Sequence, residues 1–373
     1  MRLLYLMTEP FGVGGVQSDM LALGPDLTAR GHTVFLATKT GELLPELEKL
    51  GVNFINTDFH FRGVLGLWRA AKKLRRIIVD NNIEVLAPQS VRTTLVALVA
   101  CRLLPFSYRV SGKRLPIITT IHNIHNPMHF RYGGWLLRAA CDKVIFESHY
   151  ERNRLLSSGL KAEHSLVIHS GIDTDKFLPQ PPAKAVLEEY GLDKSTDIIF
   201  GIVARLSEEK GHKYLLPAFK KVQKKIPNAR LMIVGDGPLR EEIHRQAAQL
   251  AIGDRIIFTG VKRNIPDFLS IFDVFVLSST RESFPLAARE AMAAGRAVIA
   301  PRIGGCPEVV DENVSGILFD AGDVDALADA MLAMHKDEKY LTMGRESRLR
   351  VERLFSRKQW VEGDEAVYLS SLS

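Results

Sequence analysis

Two glutamates eight residues apart flank a proline in the stretch TRESFPLAAREAMAAG, residues 280–295. Because proline favours the first position of a helix and glycine the position just past its end, this stretch predicts a helix from Pro285 to Gly295. Glu282 then lies in the loop before the helix, and Glu290 lies more than one turn inside it. The strand-like run VFVLSS precedes the loop, so Glu282 is expected at the carboxyl end of a buried strand.

The start of this helix is suited to binding an anion. The first backbone N–H groups of a helix have no intrahelical acceptor, and those near Leu286 and Ala287 can therefore hold a phosphate. Glu290 can accept hydrogen bonds from two vicinal hydroxyls, so the stretch is typical of a site for the ribose and diphosphate of a nucleotide. The alternative is that both glutamates are ordinary solvated charges near a helix end.

Two cations favour the nucleotide interpretation. The strand-like run DIIFGIVARL continues into RLSEEKG, which places Arg205 and Lys210 in one loop at the same edge of the same sheet. Guanidinium and ammonium groups donate to phosphate oxygens and neutralise them, so this loop can hold a diphosphate without a metal ion. Near the amino terminus, Gly14 and Gly15 in FGVGGVQ would let the backbone approach a ligand closely. Their spacing is not the G-x-G-x-x-G of a dinucleotide fold.

His122 ends the run PIITTIH and is the remaining candidate for chemistry. His125 and His129 follow it, but H-x2-H-x3-H without a nearby Cys, Asp or Glu is poor spacing for zinc ligands, and we expect no metal site there. Asp173 and Asp175 spell D-x-D after SLVIHSG. We interpret them as residues that stabilise a turn rather than as metal ligands.

Length and composition set the frame for these motifs. A chain of 373 residues predicts two domains, and 46% apolar with 25% charged residues is typical of a soluble globular protein. The widely spaced Cys101, Cys141 and Cys306 lack a C-x-x-C pair, which favours a reducing compartment. The opening run MRLLYLM is too short for a signal peptide, and no apolar run reaches the roughly 20 residues of a membrane span. These features predict a cytoplasmic protein.

Positive charge is concentrated in the first half of the chain. Residues 1–176 hold 22 Lys/Arg against 15 Asp/Glu, whereas the rest hold 27 against 28. The densest stretch is FRGVLGLWRAAKKLRRIIV, residues 61–79, which has no acid and combines its cations with Phe61, Leu65, Leu67 and Trp68. This composition is typical of an amphipathic helix at a membrane interface. From charge alone the partner could be a phosphorylated acceptor, an anionic membrane or nucleic acid, or the helix could simply be solvated.

Short β-rich runs alternate with helix-like segments, such as residues 17–30, through most of the chain. This alternation predicts α/β structure with parallel sheets. The pattern restarts after the proline cluster PQPPAK, residues 179–184, which we interpret as a hinge. The sequence therefore predicts two doubly wound domains in series, with ligand sites at the carboxyl ends of their strands.

The motifs together resemble those of the family 4 retaining glycosyltransferases with the GT-B fold. GGV, GIDTDKF, ARLSEEKG, VGDGP, RESFPLAAREAMAAG and GGCPE follow the family's order and spacing, and the resemblance is strongest between Gly171 and Glu308. It implies two Rossmann-like parallel-sheet domains facing across a cleft. Residues 1–178 would bind the acceptor and residues 179–355 the nucleotide sugar. Residues 356–373 would form a helix that returns to the first domain through Trp360 and Tyr368.

The resemblance also implies roles for single residues. In the family's E-x7-E motif the first glutamate, here Glu282, lies near the donor sugar, and the second, Glu290, holds the ribose. Arg205 and Lys210 match the pair that grips the diphosphate, and His122 matches a histidine that lies against the sugar. Further donor-binding residues implied by the resemblance are Gly14, Gly15, Gly235, Arg263, Ser283, Phe284, Pro285 and Leu286.

The resemblance implies a retaining hexosyltransferase that needs no metal or cofactor. It would move a sugar from a UDP- or GDP-linked donor to a glycan or lipid-linked acceptor in polysaccharide or lipopolysaccharide synthesis, without a nucleic-acid partner. The composition of residues 61–79 adds the expectation of peripheral binding at the inner face of the cytoplasmic membrane. One alternative is a nucleotide-sugar epimerase of the same architecture, which would be expected to show additional acid and base residues. Another is a binding protein whose active site has lost its activity, which would be expected to lack Arg205, Lys210 or Glu290.

Overall fold

A computed structural model describes residues 1–12, 14–103, 105–122, 124 and 127–373, except for the side chains of 127–129 and 337. The chain divides into two compact units. The first contains Met1–Gly171 together with Arg357–Ser373, and the second contains Ile172–Ser356.

The first unit alternates strands and helices. Its strands are β1 (Arg2–Leu6), β2 (Thr33–Thr38), β3 (Asn53–Asn56), β4 (Val85–Pro88), β5 (Arg109–Val110), β6 (Lys113–Arg114), β7 (Ile118–Ile121), β8 (Lys143–Phe146) and β9 (Ser165–Val167). Its helices before the second unit are α1 (Gly15–Ala29), α2 (Leu44–Lys49), α3 (Gly63–Asp80), α4 (Val91–Leu98), α5 (Pro127–Ala140) and α6 (His149–Leu156).

The large sheet of this unit is parallel. Its strands are ordered β3-β2-β1-β4 and then β7-β8-β9, and a parallel bridge between Leu86 and Ile117 joins the two groups. The antiparallel pair of β5 and β6 lies outside it. Strand β1 is apolar at every position after Arg2 because both faces of the sheet are covered. Leu4 and Leu6 pack into one apolar core, and Leu3 and Tyr5 into another.

The second unit repeats the same architecture. Its strands are β10 (Ile198–Val203), β11 (Ala229–Val234), β12 (Ile256–Gly260), β13 (Val274–Val276), β14 (Ala297–Pro301) and β15 (Gly316–Phe319). Its helices are α7 (Lys184–Tyr190), α8 (His212–Lys225), α9 (Arg240–Gln249), α10 (Ile265–Ile271), α11 (Leu286–Ala293), α12 (Cys306–Val309), α13 (Val324–His335) and α14 (Lys339–Leu354).

All strand pairs of the second sheet are parallel, in the order β12-β11-β10-β13-β14-β15. This is the doubly wound order of a Rossmann fold, in which the first strand lies at the centre and the connections leave it in both directions. Gly201 in the middle of β10 is required by packing, since a Cβ there would lie 2.1 Å from the ring of Phe272. The predicted α/β class with two Rossmann-like units is confirmed.

Helix α15 (Arg357–Ser370) closes the chain and belongs to the first unit. Trp360 and Tyr368, the aromatic residues expected to hold it, are buried in the core that contains Leu3 and Tyr5. Arg357 donates to both carboxylate oxygens of Asp26 at 2.6 and 2.7 Å. The helix is therefore tied to the first unit by apolar burial and by a bidentate ion pair.

The two units meet in sequence between 171 and 172, earlier than the boundary after residue 178 that the prolines suggested. Ile172 N–H donates to the carbonyl of Phe355 at 2.8 Å. The guanidinium of Arg348 donates to the carbonyls of Thr174 and Phe177, each at 3.0 Å. Hydrogen bonds to α14 and the residue that follows it thus attach this segment to the second unit.

Candidate active site

The strand order of the second sheet reverses between β10 and β13, which are hydrogen-bonded neighbours. In open parallel sheets the connections diverge at such a point and leave a crevice beyond the carboxyl ends, where ligands bind. The loop after β10 contains Arg205 and Lys210, and the loop after β13 contains Glu282. Residues predicted from separate motifs are therefore brought to one edge of one sheet.

Lys210 and Glu282 form an ion pair that the sequence did not reveal. Lys210 Nζ lies 2.7 Å from Glu282 Oε1, and Ser279 Oγ donates to the same oxygen at 2.6 Å. Only 26% of the Lys210 side chain and 9% of the Glu282 side chain are exposed. Since an ammonium has three N–H donors, the pair fixes the position of Lys210 and leaves it donors for an anion.

Backbone contacts hold the two loops together. Ser278 Oγ donates to the carbonyl of Lys210 at 2.9 Å, and Thr280 N–H donates to the carbonyl of Glu209 at 2.8 Å. Gly211 has φ +66°, and a Cβ there would lie 2.0 Å from the carbonyl oxygen of Ser278. A glycine is therefore needed directly after Lys210 for the loops to approach each other.

Arg205 and Arg263 are exposed, in contrast to Lys210. Neither side chain makes a hydrogen bond or an ion pair within the part of the chain that the structure describes. Arg263 follows β12, two strands away from β10 in the sheet order, and so lies farther along the edge. Gly235 follows β11, and a Cβ there would lie 2.0 Å from the carbonyl oxygen of Ala204. It lets the β11 loop pack against the end of β10.

The predicted helix is present but slightly shorter than expected. Helix α11 begins at Leu286, because Pro285 has ψ 109° and is extended rather than helical. At the other end, Gly295 adopts φ +73° just past the helix. Glu290 is half-buried in the second turn. The N–H groups of Leu286 and Ala287 are in the first turn, where no i−4 carbonyl is available to them.

The residues before α11 are buried and rest on the GGC turn. Ser283, Phe284 and Pro285 are buried, and a Cβ at Gly304 would lie 1.7 Å from the carbonyl oxygen of Glu282. A Cβ at Gly305 would lie 2.1 Å from that of Ser283. These two glycines set the path of the loop that carries Glu282, which explains why glycine occupies the first two positions of GGCPE.

In the first unit, Gly14 and Gly15 form the junction of the β1 loop with α1. Gly14 is the N-cap and is extended, with φ 174°, a conformation open to any residue. A Cβ at Gly15 would meet no heavy atom of the described residues within 4 Å. Packing within the chain therefore does not require glycine at position 15, and close approach of a ligand stays a prediction for this pair.

His122 follows β7 and is buried in a charged cluster. Its Nδ1 lies 2.6 Å from Glu147 Oε1 and 3.6 Å from Asp19 Oδ2, and its Nε2 lies 2.8 Å from Gln89 Oε1. Burial lowers the pKa of His122, but the charge and hydrogen bond of Glu147 and the nearby carboxylate of Asp19 outweigh it and raise the pKa to about 10. These contacts favour the imidazolium form of the ring.

The sequence reasoning missed the partners of His122. Gln89 follows β4, Glu147 follows β8, and Asp19 is in the second turn of α1, so they come from separate elements. A usable signal was present for Gln89 and Glu147, because polar residues directly after buried parallel strands gather at one sheet edge.

The zinc alternative involved His125 and the side chain of His129, which lie outside the described residues. Asp173 has the predicted turn role, since its Oδ1 accepts the N–H groups of Asp175 and Lys176.

Comparison with protein families decides the relationship. Residues 188–350 match the family described as Glycosyl transferases group 1, and residues 13–176 match Glycosyltransferase Family 4. The chain belongs to this family of glycosyltransferases. A GDP-mannose-dependent alpha-(1-6)-phosphatidylinositol monomannoside mannosyltransferase of Mycobacterium tuberculosis is 30% identical over 291 residues, covering 73% of this chain and 72% of the relative. The N-acetyl-alpha-D-glucosaminyl L-malate synthase of Bacillus anthracis is 26% identical, covering 96% and 95%.

Solved structures of similar fold include a glycosyltransferase from Rickettsia africae, with a TM-score of 0.84 at 21% identity, covering 100% of this chain and 98% of that one. Anabaena HepE in complex with UDP-glucose also has a TM-score of 0.84 at 21% identity, covering 99% and 100%. The predicted GT-B fold and the glycosyltransferase activity are therefore confirmed. The mycobacterial and Bacillus relatives are a transferase and a synthase by name, and they give no support to the epimerase alternative.

Proposed function

We propose that this glycosyltransferase moves a sugar from a UDP- or GDP-linked donor to a glycan or lipid-linked acceptor, with retention of configuration and without a metal ion. The observation that carries the proposal is the position of Arg205 and Lys210 at the end of β10, in a loop bonded to the one that leads into α11. Two cations and the N–H groups of a helix start are suited to a diphosphate.

The charges suggest how the transfer is promoted. As the bond between the anomeric carbon and the diphosphate lengthens, negative charge grows on the leaving group. Donors held in place before the reaction stabilise that charge at no cost of reorganisation. Glu282, which also accepts a hydrogen bond from Ser279, holds Lys210 in this way. The acceptor hydroxyl attacks from the face that the diphosphate leaves, and a departing phosphate oxygen takes its proton.

Glu290 is proposed to bind the donor nucleotide rather than to take part in bond breaking. A carboxylate in the second turn of α11 can accept hydrogen bonds from both ribose hydroxyls. Names of relatives support a nucleotide-sugar donor, since the mycobacterial enzyme is GDP-mannose-dependent and Anabaena HepE was solved with UDP-glucose. Two structures of similar fold are glycosyltransferases of lipopolysaccharide synthesis, which supports a cell-envelope role.

The exposed apolar and basic side chains of α3 support a lipid-linked or phosphorylated acceptor. This helix buries Ala70, Leu74 and Ile78 in the first unit. Its opposite face exposes 73% of Leu65 and 43% of Trp68, followed by Arg69, Lys72, Lys73 and Arg76. Phe61 and Leu67, which the sequence assigned to the membrane-facing set, instead pack partly against the core.

The exposed face of α3 suits the boundary of an anionic membrane, because apolar side chains enter the headgroup layer and cations pair with phosphates. None of the described helices is long and apolar enough to span a bilayer. We propose peripheral binding at the inner face of the cytoplasmic membrane, through α3 and without insertion of a helix.

Co-sedimentation with vesicles of phosphatidylglycerol and phosphatidylcholine tests the membrane proposal. We expect binding at low salt that weakens at high salt, and clear loss of binding in Lys72→Ser/Lys73→Ser. The matched control is Lys224→Ser/Lys225→Ser, which removes two exposed lysines of α8 in the second unit. Absence of wild-type binding at low salt, or equal loss in both double variants, contradicts the assignment.

Thermal denaturation with a panel of UDP- and GDP-sugars tests the donor. A ligand at about 100 times its dissociation constant adds roughly 2.7 kcal/mol to the free energy of unfolding, which is readily measured. We expect sugars of one of the two nucleotides to stabilise the protein. The nucleotide sugar that serves as donor should also be hydrolysed slowly when no acceptor is present. If no nucleotide or nucleotide sugar stabilises the protein, the proposed donor site is wrong.

A further inference from the structure

The hydrogen-bond partners of His122 indicate how many protons its ring carries. Gln89 Nε2 donates to the carbonyl of Ala87 at 3.1 Å, which turns Gln89 Oε1 toward His122. Both ring nitrogens of His122 therefore face oxygen atoms, Glu147 Oε1 at 2.6 Å and Gln89 Oε1 at 2.8 Å. A neutral imidazole carries one N–H donor, so one of these contacts would oppose two lone pairs.

The elements packed around His122 supply carboxylates from several sides. Asp19 comes from α1, Glu147 from the end of β8 and Asp364 from α15. All three side chains are buried, as is His122 itself, which is 8% exposed. A buried cation is tolerated when it is paired and its donors are satisfied, and here the charge and both N–H groups of His122 have partners within the first unit.

We propose that Asp19, Gln89 and Glu147 are positioning residues that hold His122 as a permanent imidazolium. His122 then acts as a fixed cation and does not exchange a proton with the substrate. This inference rests on the proposed function, because it assigns a role in sugar transfer. It distinguishes His122 from a general acid or base, which must gain or lose a proton within hydrogen-bond reach of the reacting group.

Asp364 lies near the cluster but differs from the other two carboxylates. Burial raises the pKa of Asp364 to about 8, and the nearby charges of Glu147 and Asp19 act in the same direction while His122 opposes them. Its Oδ1 has no hydrogen-bond partner among the described residues. The raised pKa favours the protonated form of Asp364 at neutral pH, and Asp364 provides a control residue in the same cluster that does not hold His122.

Nitrogen NMR of His122 in the donor-free protein tests the inference without relying on activity. A His122→Gln variant identifies its signals among those of the other histidines. We expect both ring nitrogens to remain protonated from pH 6 to pH 9 in the wild type. In Glu147→Gln the ring should instead titrate within this range. Asp364→Asn should leave both nitrogens protonated. A wild-type ring with one unprotonated nitrogen at pH 8 overturns the inference.

The pH dependence of kcat gives a second readout that a merely structural role would not change. The wild type should show no ionisation of His122 between pH 6 and pH 9, whereas Glu147→Gln should lose about tenfold or more in kcat as pH rises through the new pKa. If Glu147→Gln does not fold, Asp19→Asn should show the same change more weakly, since Asp19 is farther from Nδ1. An unchanged pH profile in a folded variant whose ring titrates contradicts the positioning role.

Failure of the proposed function is distinguishable from failure of this inference. If no nucleotide sugar binds or is hydrolysed, the donor assignment fails while the NMR result still reports the protonation of His122. If donors bind and react but His122 is neutral at pH 8, the proposed function stands and the inference does not.

Discussion

The two units place charged groups at equivalent positions, beyond the carboxyl ends of parallel strands, but treat them differently. In the first unit His122 is buried, and both its nitrogens are engaged by Glu147 and Gln89. In the second unit Arg205 is exposed, and Lys210 keeps donors beyond its contact with Glu282. The difference indicates that the first cluster is completed by the fold itself, whereas the cations of the second remain available to an anionic ligand.

The largest expected effect comes from removing α15, which carries Asp364 into the first cluster. Truncation after Phe355 takes Trp360 and Tyr368 out of the core, and loss of one buried large aromatic side chain costs about 3–5 kcal/mol. Since domains are stable by only about 5–15 kcal/mol, we expect the first unit to lose cooperative unfolding in denaturant. The control is truncation after Ser370, which keeps the helix. Full activity and stability without α15 would show that this packing is not needed.

Replacing either cation of the second unit should lower the rate of transfer. Arg205→Ala and Lys210→Ala each remove a charge that we propose to act on the leaving diphosphate, and we expect kcat to fall by about 10² to 10³. Lys213→Ala is the matched control, because Lys213 is exposed in the following helix and pairs with Glu208. Transfer rates measured at saturating donor decide the outcome, and rates like those of the control contradict the assignment.

A double-mutant cycle sharpens the description of the Lys210–Glu282 pair. If Glu282 acts by holding Lys210, the combined loss in Lys210→Ala/Glu282→Ala should be smaller than the sum of the two single losses by about 1 kcal/mol or more. Activation free energies from kcat of all four proteins give the coupling. Strictly additive losses would mean that Glu282 acts on the substrate independently of Lys210.

Glu290→Ala should weaken donor binding more than it slows the chemical step. Hydrogen bonds of a carboxylate to the ribose are present before and during the reaction, so their loss affects ground and transition states alike. We expect the donor dissociation constant to rise by about 10- to 100-fold, as for loss of a charge-assisted hydrogen bond. Calorimetric titration with the donor, together with kcat at saturation, measures both. A large fall in kcat with unchanged affinity contradicts this role.

A pH-dependent effect is expected on the stability of the first cluster. Because the folded-state pKa of Asp364 is raised to about 8, the folded protein keeps a proton that the unfolded chain loses near pH 4. Stability from this group is therefore present at low pH and falls as pH rises toward 8, by up to about 1.4 kcal/mol per pH unit. Denaturant unfolding from pH 5 to pH 8 should show Asp364→Asn gaining stability relative to the wild type as pH rises.

Glu312 provides the control for this pH dependence. Its pKa is lowered, chiefly by the hydrogen bond from Arg302, and an arginine stays charged throughout this range, so the stabilising effect of Glu312 is present above its ordinary pKa and is lost only in acid. Glu312→Gln should therefore shift stability by a similar amount at each pH from 5 to 8. Parallel curves for Asp364→Asn and the wild type would show that Asp364 is ionised in the folded protein.

The sequence predicted those parts of the fold and site that depend on local signals. Alternating runs gave the two parallel sheets, and Pro285 with Gly295 gave α11 almost to its ends. The pairing of Lys210 with Glu282 could not be predicted, because the residues are 72 positions apart and each is plausible as a solvated loop charge. Asp364 was hidden for a similar reason, since a carboxylate in a polar terminal helix is ordinarily exposed.

The most direct measurement for the central claim is the rate of donor hydrolysis by the full chain, with EDTA and then with added manganese. In the proposed donor site, the exposed Arg205, the fixed Lys210 and the start of α11 would supply the positive charge that neutralises a diphosphate. We therefore predict the same rate with and without EDTA, and a loss of about 10² or more in Lys210→Ala under both conditions. Hydrolysis that EDTA abolishes and manganese restores would contradict the metal-free account.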